Sequence, residues 1–381
     1  MTTIPEILED KQVCICAGSG GVGKTTTSAA IALGMAASGL KVCVLTIDPA
    51  KRLADSLGLK QLGNEASRVD PALFAEHGLA LDGELWAMML DAKATFDELV
   101  RRHAPDEESR DRVLNNRIYQ QISSALAGSQ EYMAMEKLFE LHSEGRFDLL
   151  VLDTPPTRDA LDFLEAPRRL TQFIEGRSLK VFMKPTGIGM RLAGRGVSAM
   201  FGILRRIVGF DLLADISEFL QAFSGMVDGF QERAKRVNEL LADPGTSFLV
   251  VCGPQGEPID EAVYFHRKLV EAKLPIGGVI VNKVHYATEP GGPDGEDLRA
   301  SLAGLLDSED LAQRVAENFA DYQALAARDA ANIDHLAAEL RTSSVIRVPY
   351  LDEDVHDLAG LAELDRYLFA QEEERAAMAG S

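Results

Sequence analysis

Short, nearly continuous apolar runs alternate along this chain with longer stretches whose apolar positions recur at helical spacing. The runs Val13 to Ala17, Val42 to Ile47, Leu85 to Met89, Phe147 to Leu152, Phe248 to Cys252, Val279 to Asn282 and Val345 to Val348 predict strands. Unbroken apolar character, as in Leu149-Leu150-Val151-Leu152, is what a strand covered on both faces requires. The pattern from Thr25 to Ser38 predicts a helix stopped by Gly39, and Ala92 to Glu144 predicts several more, interrupted near Ala104-Pro105. Further helices are expected over Asp297 to Leu340, and Gln371 to Ser381 is expected to be a polar, frayed tail. Strands alternating with helices in this way predict an α/β fold built on a doubly wound, mostly parallel sheet.

The turn after the first strand carries the chemistry. Gly18-Ser19-Gly20-Gly21-Val22-Gly23-Lys24-Thr25, followed by Thr26, is a phosphate loop: a glycine, four residues, then Gly-Lys-Thr. Glycines let backbone N–H groups turn inward around an anion, and the positive end of the following helix faces the same anion. Lys24 is placed to reach β- and γ-phosphate oxygens, and the Thr25 hydroxyl to ligate Mg²⁺. This pattern implies a nucleoside triphosphate as ligand, and the fold expected is that of a P-loop NTPase.

Two acids end strands where ligands bind in such sheets. Asp48 follows Thr46-Ile47, and Asp153 opens Asp153-Thr154-Pro155-Pro156-Thr157. Asp48 is the candidate for orienting the attacking water and for the metal; Asp153 is the candidate acid beside Mg²⁺. Lys24 and Asp48 are thus the catalytic candidates, with Thr25, Asp48 and Asp153 around the metal.

Charge and cysteine content narrow the setting. With 381 residues, 39 Lys and Arg and 59 Asp and Glu, the net charge is −20, which argues against nucleic acid as a main partner. The four cysteines all fall in predicted strands, as small core residues of a reducing compartment. Neither a leader nor a membrane span is expected, so a cytoplasmic address follows, with a peripheral place at the inner membrane as the alternative. From Arg177 to Arg206 the balance reverses: seven basic residues and no acidic one, interleaved with Phe182, Met183, Met190, Met200 and Phe201. Such a segment suits either an amphipathic surface for an apolar client or anionic membrane, or an ordinary helical insertion with wet Lys and Arg. Residues 156–240 are accordingly expected to form a helical, apolar and basic subdomain. Residues 1–155 and 241–365 are expected to form the nucleotide-binding core, and 366–381 the tail.

Together, the phosphate loop, Thr46-Ile47-Asp48-Pro49-Ala50, Asp153-Thr154-Pro155-Pro156-Thr157, Leu161-Asp162-Phe163-Leu164, Val279-Ile280-Val281-Asn282 and Val348-Pro349-Tyr350-Leu351 resemble the ArsA-type anion-transporting ATPases. That family includes arsenite-pump and tail-anchored-protein-targeting ATPases. Gln130 to Leu138 further resembles the paired ATPases of this group found in mycobacteria and their relatives. The resemblance implies ATP and Mg²⁺ as cofactors, Asp48 in a first switch and Asp153 in a second. It also implies that Asn282 hydrogen-bonds the adenine while Pro349 to Leu351 close the base pocket. It implies a dimer around nucleotide, homomeric or with a related chain, with a hydrophobic client or membrane protein as a further partner. The chain departs from the family at Ser19, where a lysine usually reaches across the dimer to the partner's phosphates. It also lacks a Cys-x-x-Cys zinc clasp and an evident thiol cluster for arsenite. The expected activity is Mg-dependent ATP hydrolysis coupled to transport, targeting or chaperone work. The alternative is an ATP-binding regulatory subunit with little hydrolysis.

Overall fold

The computed structural model describes the chain apart from residues 1–2, 48–51, 78, 126–128, 156–214, 216–217, 220, 224, 288–294, 307, 342–343, 352–353 and 380–381. Two compact units result. One comprises Met1–Met88, Gly145–Ala160 and Ala242–Ser381; the other comprises Met89–Glu144 and Leu161–Leu241.

The first unit is built on a single eight-stranded sheet. Its strands are β1 (Val13–Gly18), β2 (Lys41–Thr46), β3 (Ser67–Arg68), β4 (Glu84–Met89), β5 (Leu149–Asp153), β6 (Thr246–Cys252), β7 (Ile276–Val284) and β8 (Val345–Pro349). Their spatial order is β3-β4-β2-β5-β1-β6-β7-β8. The pairs β2–β5, β5–β1, β1–β6, β6–β7 and β7–β8 are parallel, and the two-residue β3 is antiparallel to β4. The seven strands expected from apolar runs are all present, and β3, too short and polar to register as a run, is added at the edge. β1 lies between β5 and β6, and Val13, Cys14, Ile15 and Cys16 are wholly buried. Burial of each such aliphatic side chain is worth about 1.5–3 kcal/mol, which fixes the strand that carries the phosphate loop.

The helix Lys24–Ala37 follows that loop and is buried along most of its length. It crosses the helix Leu358–Phe369 at Gly34, where a Cβ would come within 2.0 Å of Asp365 Oδ1 and 2.4 Å of the Phe369 ring. A larger residue here would have to push both side chains aside. The Asp365 carboxyl is enclosed there, its Oδ1 has no hydrogen-bond partner among the described residues, and burial raises its pKa to about 7.

Residues 371–379 are not the frayed tail that their polarity predicts. Glu372–Ala379 is a helix whose Arg375 is fully buried, donating to Tyr367 O (3.3 Å) and Glu372 Oε2 (2.9 Å). Gln371 Nε2 also donates to Glu6 Oε1 (3.1 Å). One guanidinium holds the segment down, an anchor that hydropathy alone scores as solvent-facing.

The second unit is helical. It takes in residues 89–144, which the expected boundary at 155 places in the nucleotide core. Its helices are Ala92–His103, Glu107–Leu114, Arg117–Ala125, Ser129–Glu144 and Val227–Leu241. None offers a strand to the sheet, so their apolar faces close on one another. Phe96, Tyr119, Phe219, Phe223 and Phe230 form a chain of aromatic contacts with centroids 5.1–6.2 Å apart. Such pairs add about 0.5–1.5 kcal/mol each beyond area burial. The Tyr119 hydroxyl donates to Asp97 Oδ1 (2.6 Å). Glu136, 1 % exposed, pairs with Arg233 Nε, and burial pushes the Glu136 carboxyl above its ordinary value against the pull of that guanidinium. The basic, methionine-bearing segment Arg177 to Arg206 lies outside the described residues. Among the described residues no helix is long and apolar enough to cross a membrane.

Candidate functional site

The site grows from the end of β1. Gly18 closes the strand, and the loop through Gly23 delivers the chain to the helix Lys24–Ala37. Gly23 is the helix N-cap with φ 90°, in the left-handed region, and no side chain caps the first turn. A Cβ at Gly23 would lie 2.4 Å from Asn282 Nδ2, so any other residue here is strained in its backbone and must displace that side chain. The first-turn N–H groups are thereby left pointing into the loop, a ready anion site.

Lys24 is 6 % exposed, and its Nζ donates to Ser19 O (2.7 Å), bending back over the loop. Thr25 Oγ1 donates to Asp153 Oδ2 (2.7 Å), and Thr46 Oγ1 at the end of β2 donates to the same oxygen (2.8 Å). Asp153 is wholly buried. The ends of β2 and β5 and the start of the first long helix therefore bring one carboxylate and two hydroxyls together beside the phosphate loop. Those hard oxygens suit Mg²⁺, which commonly takes a hydroxyl, one or two carboxylates, substrate phosphates and water. Thr154 secures the same corner, its N and Oγ1 both donating to Cys16 O (3.2 and 2.8 Å).

A cavity of about 750 Å³ opens over the loop. Gly20, Gly21, Gly23, Lys24, Thr25, Thr26, Asn282, Pro349 and Leu351, all expected at the site, line it together. Its volume falls within the range of nucleotide-sized pockets. Gly18, Ser19 and Val22 form the loop behind the lining, and Asp153 lies beneath Thr25 rather than on the wall. Asn282 is engaged by protein: Nδ2 donates to Val22 O (2.9 Å) and Oδ1 accepts from Lys283 N (3.0 Å). Its side chain thus ties β7 to the phosphate loop. Asp48, expected in the first switch, lies outside the described residues.

Several cavity residues have no role in the sequence reading. Thr46, below the cavity, is legible only as a polar residue closing an apolar run. Arg52, Asp55, Lys283, Asp354 and His356 line the cavity. Tyr350, within the segment expected to close the base pocket, lines the cavity as well, 56 % exposed and stacked on His285 with centroids 5.6 Å apart at 15°. His285 is held in turn by Asp329, whose Oδ2 lies 2.7 Å from Nδ1 and accepts from His285 N at 3.1 Å. Asp329 is fully buried and also accepts from Arg328 Nη2 (2.9 Å). This brace fixes an aromatic face at the cavity rim, and nothing local in the sequence signals it because its parts are far apart in the chain.

Residues 11–326 match the family model described as "Anion-transporting ATPase", the ArsA ATPases. This chain belongs to the anion-transporting ATPase family. An ATPase GET3 of Malassezia globosa is 25 % identical over 371 residues, covering 96 % of this chain and 94 % of that protein. An ATPase ASNA1 homolog of Cryptosporidium parvum is 26 % identical, covering 77 % of this chain and 71 % of its own length. An ATPase ARSA2 of Chlamydomonas reinhardtii is 25 % identical, covering 79 % and 76 % respectively. The α/β sheet and phosphate loop accord with that membership, and the chain is an ATPase of this family.

Proposed function

We propose that the chain binds Mg·ATP in the cavity over the phosphate loop and hydrolyses it within a nucleotide-sandwich dimer. The partner is a second copy or a related chain that supplies the cation missing at Ser19. The closing and opening of this dimer drives transport, targeting or chaperone work from a cytoplasmic position. The observation that carries the reading is the meeting of the Thr25–Asp153–Thr46 oxygens with the phosphate loop on the floor of a nucleotide-sized cavity. In this reading Lys24 leaves Ser19 O for the phosphates, and Thr25 and Asp153 hold the metal directly and through water. When bound, Mg²⁺ supplies neutralisation of the β- and γ-phosphate oxygens. Asp48 orients the attacking water, and Asn282, Pro349 and Leu351 contact the base.

Ser19 favours a second reading, a subunit that holds ATP but turns it over negligibly, because a transition-state cation in such chemistry is worth roughly a thousandfold or more. Steady-state hydrolysis measured across protein concentration, beside direct ATP binding, separates the two. Specific activity that rises with concentration, and is lost in Asp48→Asn while affinity persists, supports the enzyme dimer. Tight binding with negligible turnover supports the regulatory subunit. Unchanged Mg·ATP affinity in Lys24→Ala overturns the site assignment itself.

A further inference from the structure

Ser19, inside the phosphate loop, brings no charge to the site. Its hydroxyl is buried without a hydrogen-bond partner among the described residues, and its carbonyl is taken by Lys24. Yet the cavity holds a further strong cation. Arg52 opens the short helix Arg52–Ser56, is exposed, and lines the cavity with Gly20, Gly21, Lys24 and Thr25. Among the described residues its guanidinium takes no ion pair, and Asp55, one turn on and in the same cavity, does not claim it. An unpaired arginine facing a polyanion site is poised for bidentate contact with phosphate oxygens, geometry a lysine cannot reproduce.

We infer that Arg52 is a γ-phosphate ligand supplied from within the chain, a second cation beside Lys24 and separate from the one a partner brings. This rests on the proposed Mg·ATP site. Arg52 approaches from the segment after β2, whereas Lys24 approaches from the loop itself, so the terminal phosphoryl group is held by two cations from separate segments. ADP, which lacks that group, gains little from Arg52. The residue therefore makes the site discriminate triphosphate from diphosphate in the single chain, before any partner arrives.

The test is calorimetric titration of the full chain with Mg·ADP and with a slowly hydrolysed Mg·ATP analogue, for the wild type, Arg52→Ala, Arg52→Lys and Lys24→Ala. Arg52→Ala is expected to weaken the triphosphate by about tenfold or more while leaving ADP within about twofold, and Arg52→Lys to recover part of the loss. An unchanged triphosphate-to-diphosphate ratio in Arg52→Ala, with Lys24→Ala still losing both nucleotides, overturns the role of Arg52 and leaves the site standing. If Lys24→Ala binds both nucleotides as the wild type does, the site reading fails and the inference fails with it. Melting followed by the single Trp86, which lies in the same unit, controls for folding.

Discussion

Replacing Asp365 by asparagine removes a carboxyl that the fold encloses against Gly34 at the crossing of two helices. Burial raises its pKa from 3.8 to about 7. The folded state therefore keeps a proton that the unfolded chain has already released between those values. Stability contributed by the protonated form is full below about pH 4, declines as pH rises through the window, and levels off above 7. A shift of about 3 units at 1.36 kcal/mol each gives about 4 kcal/mol in all, of which roughly 3 kcal/mol falls between pH 5 and 8. An amide stays neutral throughout, so this slope vanishes in Asp365→Asn while every other titration cancels in the comparison. The assay is urea unfolding at pH 5, 6, 7 and 8, read by Trp86 fluorescence. The variant is expected to gain on the wild type mainly between pH 5 and 7 and little from 7 to 8, reaching a few kcal/mol at the alkaline end. Parallel curves with a constant offset would refute the argument, because they would mean that the carboxylate is solvated or partnered when charged.

Two further outcomes follow from the packing. Gly23→Ala forces a Cβ into a left-handed position and onto Asn282 Nδ2, so it should cost about 1–2 kcal/mol from the dihedral alone and lower Mg·ATP affinity; unfolding and calorimetry check both. In the helical unit, Arg233→Met strands the buried Glu136 carboxylate and should destabilise by about 3–5 kcal/mol at neutral pH. The double variant Arg233→Met, Glu136→Leu should recover much of that loss, as circular-dichroism melting would show.

What is legible in the sequence is local. The phosphate loop announces itself because strand, turn and helix are contiguous, and β1, β2 and β5 to β8 announce themselves because strands buried on both faces read as apolar runs. Asp153 is legible as an acid ending such a run. Thr46 is not, because its role depends on β2 lying beside β5, a pairing fixed by topology rather than by neighbours in sequence. The same holds for the His285–Asp329 brace under Tyr350 and for Arg375, whose charge disguises the most buried residue of the last helix. The helices within residues 89–144 are readable from their apolar spacing, but their membership of the second unit depends on contacts with the helix Val227–Leu241, far along the chain. Asp365 sits in an amphipathic pattern like any exposed acid, and only the glycine opposite betrays its burial.

The arrangement of β1 has a bearing on how the molecule is made. This strand is synthesised before the other seven of its sheet, but one of its two neighbours, β6, begins at Thr246, which lies opposite Val13. Until that far segment is synthesised, one edge of the central strand stays open, and the sheet beyond it, β7 and β8, has nothing to build upon. An open apolar edge is a template for pairing with other chains. Contacts so distant in sequence also close slowly, because loop-closure entropy must be met before they stabilise anything. The sheet of the nucleotide-binding unit is thus completed only after β8 has emerged, and its earliest strand is the one that waits longest for a partner.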